Sequence, residues 1–213
     1  MTSSVTEFAG IVLAGGRSSR MGRPKATLPF GDESMLARVV RLLGEVVQPI
    51  VVVAAAGQEL PPLATPVLRA EDKSEGRGPL EGLRAGLAAL PSTAEAAYAT
   101  SCDVPLLVPD FVRRMTELLG EHDIAVAATD GFEHPLAAVY RRTVLPKIEE
   151  LLAADRLRPL FLFEMMRTRR VTADELRDVD PELRTLANLN HPADYAAALR
   201  SAGFDVPAWV EEG

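Results

Sequence analysis

The chain has 213 residues, of which 47% are hydrophobic and 25% charged, a composition typical of a globular protein. Its 30 acidic residues outnumber its 23 basic ones, giving a net charge of −7, which argues against a general nucleic-acid binder because such proteins usually present a basic face. A single cysteine, Cys102, excludes an intrachain disulfide framework, and no apolar run is long enough to cross a bilayer. We therefore expect a soluble, cytoplasmic protein that binds neither nucleic acid nor membrane.

Short apolar runs alternate with amphipathic segments along the whole chain. The pattern predicts, in chain order, strand 8–14, helix 33–46, strands 49–56 and 66–70, helix 80–90, strand 96–102, helix 109–120, strands 123–129 and 135–141, helices 144–154 and 159–167, strand 169–173 and helix 191–203. The strand over 135–141 is open to an antiparallel direction. Strands separated by helices indicate βαβ units, and near-continuous Val, Ile and Ala indicate a sheet covered on both faces. The sequence predicts one α/β domain over 1–213, with a three-layer, Rossmann-like, mostly parallel sheet and helices on both faces.

Ligands of such folds bind beyond the carboxyl ends of the strands. The segments that follow the predicted strands there read GGRSSRMGRPK, EDKSEGRGPLEG, CDVP and DGFEHP. We expect these four loops to form one site.

The first of these loops is locally cationic in an acidic chain. From Gly15 to Lys25 there are four basic residues and no acid. Adjacent glycines at Gly15 and Gly16 let backbone N–H groups approach an anion closely. The loop fits neither the Walker pattern nor the dinucleotide fingerprint G-x-G-x-x-G. It therefore predicts a polyphosphate site that belongs neither to a P-loop ATPase nor to an ordinary Rossmann dehydrogenase.

The order L-A-G-G-x-S-x-R-M-G-x-x-K, beginning at Leu13, resembles the nucleotide-binding signature of the molybdenum cofactor nucleotidyltransferases. These enzymes belong to the nucleotidyltransferase superfamily, whose fold is of the nucleotide-diphospho-sugar transferase type. The resemblance assigns guanine specificity to L-A-G-G and cytosine specificity to L-A-A-G, although the following RPKATLP also looks like the cytidylyltransferase branch. Four later segments resemble the guanylyltransferases: GPLEGLRAGL, CDVPLL, DGFEHPLAAVY and ANLNHPADY. On these motifs the chain is identified as a member of the molybdenum cofactor guanylyltransferase family.

The resemblance implies transfer of GMP from GTP to the terminal phosphate of molybdopterin, which gives molybdopterin guanine dinucleotide and pyrophosphate. Two alternatives stay open: a molybdopterin cytidylyltransferase that uses CTP, and a non-catalytic nucleotide-binding regulatory domain. The implied partners are GTP and molybdopterin, with transient contacts to cofactor-biosynthesis proteins or recipient molybdoenzymes.

The resemblance also implies roles for individual residues. Asp103 would bind Mg²⁺ and act in catalysis, because Mg²⁺ prefers oxygen ligands and often takes few carboxylates. Arg20 and Lys25 would be the catalytic cations at the triphosphate. The remaining nucleotide contacts would come from Leu13, Ala14, Gly15, Gly16 and Asp72, together with Lys25 and Asp103. Asn188 and Asn190 would bind the pterin substrate.

One position departs from the family pattern. The family often carries an asparagine at the end of the second predicted strand, where this chain reads VVVAAAG over 51–57. We expect the hydrogen bond of that asparagine to be lost or supplied by the backbone.

Overall fold

The computed structural model describes residues 7–15, 23–72 and 76–211. The strands are β1 (Glu7–Leu13), β2 (Pro29–Phe30), β3 (Glu33–Ser34), β4 (Ile50–Ala55), β5 (Leu68–Asp72), β6 (Ala94–Ser101), β7 (Ile124–Thr129), β8 (Phe132–Arg141) and β9 (Thr168–Thr172). The α-helices are α1 (Met35–Gly44), α2 (Pro79–Ala88), α3 (Pro109–Leu118), α4 (Leu145–Ala153), α5 (Pro159–Met165), α6 (Ala173–Leu176), α7 (Pro192–Ser201) and α8 (Ala208–Glu211).

The central sheet has seven strands in the order β5-β4-β1-β6-β8-β7-β9. Strand β1 pairs in parallel with β4 on one side and with β6 on the other. Strand β8 is antiparallel to both β6 and β7, so the segment over 135–141 takes the antiparallel direction that the sequence had left open. The predicted three-layer, mostly parallel α/β fold is confirmed.

Helices cover both faces of the central sheet, and adjacent residues of each strand point to opposite faces. On β1, Ile11 belongs to a core cluster that includes Leu83 of α2 and Ile148 of α4. Its neighbour Val12 belongs to a second cluster, on the other face, that includes Val39 of α1 and Phe111 of α3. This double burial explains the uninterrupted apolar runs in the strand sequences.

A third apolar cluster joins the β2–β3 hairpin to the C-terminal helices. Phe30 of the hairpin packs edge-on against Tyr195 of α7, with ring centroids 6.5 Å apart. Tyr195 stacks in turn on Trp209 of α8 at 5.8 Å. These contacts bring the end of the chain back to the segment that precedes α1.

The segment DGFEHP was predicted to be a loop, and this is wrong for most of its length. Asp130 and Gly131 form a tight turn with positive φ at both residues, and Phe132 already begins strand β8. A two-residue Asp-Gly turn is the preferred connection of a hairpin, which is why the segment folds back directly. None of the helices that the structure describes is long and apolar enough to span a membrane.

Candidate active site

A cavity of about 770 Å³ lies where β1, β4, β5 and β6 end. The chain leaves β1 towards β4 on one side and returns to β6 on the other, and such a switch in strand order opens a crevice at the carboxyl edge of the sheet. The residues that line the cavity are Leu13, Gly15, Val53, Ala55, Asp72, Gly76, Gly78, Pro79, Gly82, Ser101, Asp103, Leu136 and Asn188.

Asp103 is the centre of a polar cluster in this cavity. The ammonium group of Lys25 donates to Oδ2 of Asp103 at 2.8 Å and to Oδ1 of Asn190 at 2.9 Å. The hydroxyl of Ser101 donates to the other oxygen of Asp103, so the carboxylate is held from both sides. The Lys25 and Asp103 side chains are only 16% and 17% exposed, and a cation and an anion are therefore fixed at the edge of the cavity.

The asparagine segment near the C-terminus is anchored next to this cluster. The backbone N–H of Leu189 donates to the backbone oxygen of Asp103 at 2.9 Å, and the Leu189 side chain is buried in the third apolar cluster. Because Leu189 points inwards, the asparagines on either side of it stay exposed, and Asn188 lines the cavity. One buried leucine thus presents two side-chain amides at the site.

Gly15 and Gly78 allow backbone to form the cavity wall. A Cβ on Gly15 would lie 3.2 Å from the Ala55 nitrogen, closer than most real contacts. Gly78 has a φ of +72°, a conformation that residues with a Cβ rarely adopt, and it directly precedes Pro79, the first residue of α2. Proline is favoured at this helical position because its missing N–H would have no helical acceptor there.

The predicted site residues largely come together. Lining the cavity are Leu13, Gly15, Asp72, Asp103 and Asn188, while Lys25 and Asn190 join them through the hydrogen bonds at Asp103. Ala14 is 5% exposed, and its N–H donates to the Val53 oxygen, so it supports the wall from behind. The two other predicted residues, Gly16 and Arg20, lie outside the described residues.

Ser101 and Gln58 contact the site but were not among the residues predicted from the sequence. Ser101 stands two residues before Asp103 at the end of β6, and a hydroxyl in that position was the available signal. Gln58 lies three residues beyond β4, and its side-chain amide contacts the backbone of Ala14 and Ala55. A side-chain amide is thus present near the position where the VVVAAAG segment itself offers none.

Cys102 and His134 are the residues of reactive type in the segments CDVP and DGFEHP. Burial, with a contribution from Asp103, raises the pKa of the Cys102 thiol to about 12, so this thiol stays protonated at neutral pH. His134 lies in β8 with Nε2 at 2.8 Å from the Thr129 hydroxyl, and burial lowers the pKa of its ring. Neither residue lines the cavity.

The family model of the MobA-like NTP transferase domain matches residues 10–171, which include every strand of the central sheet except the start of β1 and the last residue of β9. This range contains Lys25, Asp72 and Asp103. The fold, the cavity and the match together define a nucleotidyltransferase.

Similar proteins support this assignment. A protein of Mycobacterium ulcerans named "probable molybdenum cofactor guanylyltransferase" is 39% identical over 202 residues, 93% of this chain and 96% of its own length. A Mycobacterium tuberculosis protein of the same name is 36% identical over 91% of this chain and 94% of its own. The crystal structure of molybdopterin-guanine dinucleotide biosynthesis protein A from Archaeoglobus fulgidus has the same fold, with a TM-score of 0.76 at 20% identity, covering 92% of this chain and 99% of that one. The chain belongs to the molybdenum cofactor guanylyltransferase family.

Proposed function

We propose that the protein transfers GMP from GTP to the terminal phosphate of molybdopterin in the cytoplasm. A phosphate oxygen of molybdopterin attacks the α-phosphorus of GTP, a new P–O bond forms, and the bond to the β-phosphate breaks to release pyrophosphate. The observation that carries the proposal is the Lys25–Asp103–Asn190 cluster at the mouth of a cavity large enough for a nucleotide.

The reaction joins two anions, so its barrier falls when the protein supplies positive charge and alignment. The attacking phosphate is already ionised and requires no strong base. Lys25 would provide charge at the phosphates, and its bonds to Asp103 and Asn190 keep the ammonium group in place before the substrates bind. The buried, protonated Cys102 takes no part as a nucleophile in this scheme.

The nucleotide would lie across the ends of β1, β4 and β5. The backbone at Gly15 would contact the base, since the missing Cβ leaves room for a purine against Ala55. Asp72, the last residue of β5, would accept hydrogen bonds either from guanine N–H groups or from the ribose hydroxyls. Asn188 and Asn190 would bind the pterin, because amides both donate and accept.

We also propose that Asp103 binds Mg²⁺ together with the phosphates. Within the described ranges no three acidic, histidine or cysteine side chains are close enough to hold a metal alone. A single carboxylate fits Mg²⁺, which usually combines one or two protein carboxylates with phosphate oxygens and water. When bound, the ion supplies charge neutralisation at the triphosphate.

Calorimetric titration with GTP, CTP and ATP, with and without Mg²⁺, tests this proposal. We expect GTP to bind most tightly and the Mg²⁺-dependent part of its affinity to disappear in Asp103→Asn. Asp110→Asn is the matched control, because Asp110 is a largely exposed carboxylate at the start of α3 and outside the cavity. Tighter binding of CTP would indicate a cytidylyltransferase, and no nucleotide binding would contradict the proposal.

A further inference from the structure

The parallel ladder between β1 and β4 is interrupted at the cavity by a side chain. The Ala14 N–H donates to the Val53 oxygen at 2.8 Å, and in a parallel pair the next bond would run from the Ala55 N–H to the Ala14 oxygen. The Ala55 N–H instead donates to Oε1 of Gln58 at 3.0 Å. Nε2 of Gln58 then donates to the Ala14 oxygen, also at 3.0 Å.

The carboxamide of Gln58 therefore replaces one rung of the sheet. It offers one acceptor and one donor in the order that the two backbone groups need, which an ionised carboxylate or a hydrocarbon cannot do. The Gln58 backbone N–H also donates to the Ala55 oxygen at 3.0 Å, which fixes the start of the side chain. At this rung the ends of β1 and β4 are therefore joined through an amide group and not by a direct backbone hydrogen bond.

This inserted amide lies directly behind the cavity wall. Gly15 and Ala55 both line the cavity. A Cβ on Gly15 would meet the Ala55 nitrogen at 3.2 Å and Oε1 of Gln58 at 3.9 Å. The distance between the strand ends thus sets the room available at the residue that distinguishes L-A-G-G from L-A-A-G.

We propose that Gln58 is a positioning residue for nucleotide specificity. By separating the ends of β1 and β4, it keeps the part of the cavity next to Gly15 wide enough for a purine. The inference rests on the proposed binding of GTP in this cavity. Without the amide, the Ala55 N–H can donate a hydrogen bond directly to the Ala14 oxygen, and the cavity narrows at Gly15. A narrower cavity lowers the affinity for a purine nucleotide more than the affinity for a pyrimidine nucleotide.

Two variants of Gln58 separate this role from general stability. Gln58→Met keeps the length of the side chain but removes both hydrogen bonds. Gln58→Glu keeps the acceptor for the Ala55 N–H but places a carboxylate oxygen against the Ala14 oxygen. Gln48→Met is the matched control, because Gln48 is an exposed glutamine just before the opposite end of β4.

The measurement is the Kd of GTP and of CTP for each protein in the presence of Mg²⁺, with a thermal melt to verify folding. We expect Gln58→Met and Gln58→Glu to weaken GTP about tenfold, equivalent to ~1.4 kcal/mol, while CTP changes less than about twofold. Gln48→Met should keep the wild-type ratio. A Gln58 variant that weakens the binding of both nucleotides equally, or of neither, contradicts the role of Gln58 but leaves the proposed function standing. A wild-type protein that binds neither nucleotide contradicts the proposed function, and Gln58 then has no nucleotide specificity to set.

Discussion

Among single residues, Lys25 is the one on which the proposed chemistry depends most. Its ammonium group is held between Asp103 and Asn190, two residues contributed by distant parts of the chain. Replacing a preorganised charge of this kind usually lowers kcat by two to three orders of magnitude.

We expect Lys25→Met to lower the rate of GMP transfer about a hundredfold. The measurement is the initial rate of pyrophosphate release with saturating GTP and molybdopterin. Lys147→Met is the control, because Lys147 pairs with Glu150 on the outer surface of α4 and should leave the rate unchanged. Equal rates for the two variants would remove Lys25 from the catalytic machinery.

Cys102 allows a second test at this scale. Its pKa of about 12 leaves very little thiolate at pH 7, and its side chain is buried. We expect the native protein to react with a thiol reagent at least about tenfold more slowly than the urea-unfolded chain, because burial both raises the pKa of the thiol and blocks access to it. Similar rates in the two states would show that the native thiol is accessible and has an ordinary pKa, which would contradict its burial and leave it open to a nucleophilic role.

At the element scale, a buried carboxylate positions the segment that carries the asparagines. Asp180 is 2% exposed and accepts from the backbone N–H groups of Arg184 and Thr185, both at 2.9 Å. The Thr185 hydroxyl accepts in turn from the N–H of Val108, just before α3. The sequence shows no periodicity here, because the segment is fixed by hydrogen bonds and not by a helix or strand pattern.

The edge strand β9 is held by another carboxylate, and this contact makes stability depend on pH. Asp123, just before β7, accepts from the guanidinium and the backbone N–H of Arg167. The hydrogen bond from Arg167 lowers the pKa of Asp123 below its ordinary value. The contribution to stability is therefore fully present above the unfolded pKa, about 3.9, and is lost as pH falls through the lower folded pKa.

We expect Asp123→Asn to lower the urea midpoint at pH 7 and to have a smaller effect as the pH falls below about 4. The measurement is equilibrium urea unfolding of wild type and variant between pH 3 and pH 7. Asp174→Asn provides the comparison, because that carboxylate is 92% exposed and should matter little at any pH. A deficit in Asp123→Asn that persists unchanged at pH 3 would refute the ionic origin of the effect.

In the whole molecule, the order of the main strands and helices could be predicted because the helices carry apolar residues at three- and four-residue spacing and most strands are continuous apolar runs. The short elements could not: the β2–β3 hairpin has two residues in each strand and depends on Phe30 packing against the distant Tyr195. The loop expected after β7 was wrong because Asp130-Gly131 closes a tight turn and β8 begins at once.

The site was predictable in part from the positions of the strand ends. Carboxyl ends of parallel strands meet at one edge, so Gly15, Asp72 and Asp103 could be expected together. The bond between Lys25 and Asn190 joins residues 165 positions apart, and only a resemblance to a family, not local pattern, could suggest that they meet. Gln58 could not be predicted from the sequence, because its contacts depend on the point at which β1 and β4 stop pairing.

Transfer of GMP by this protein is tested most simply by formation of the dinucleotide product. Purified protein is incubated with Mg²⁺, molybdopterin and GTP or CTP labelled at the α-phosphate, and the label that enters the pterin product is counted. We expect incorporation from GTP in clear preference to CTP, with pyrophosphate released in equal amount and no product from Asp103→Asn. Preferential incorporation from CTP, or no incorporation from either nucleotide, would contradict the proposed transfer of GMP.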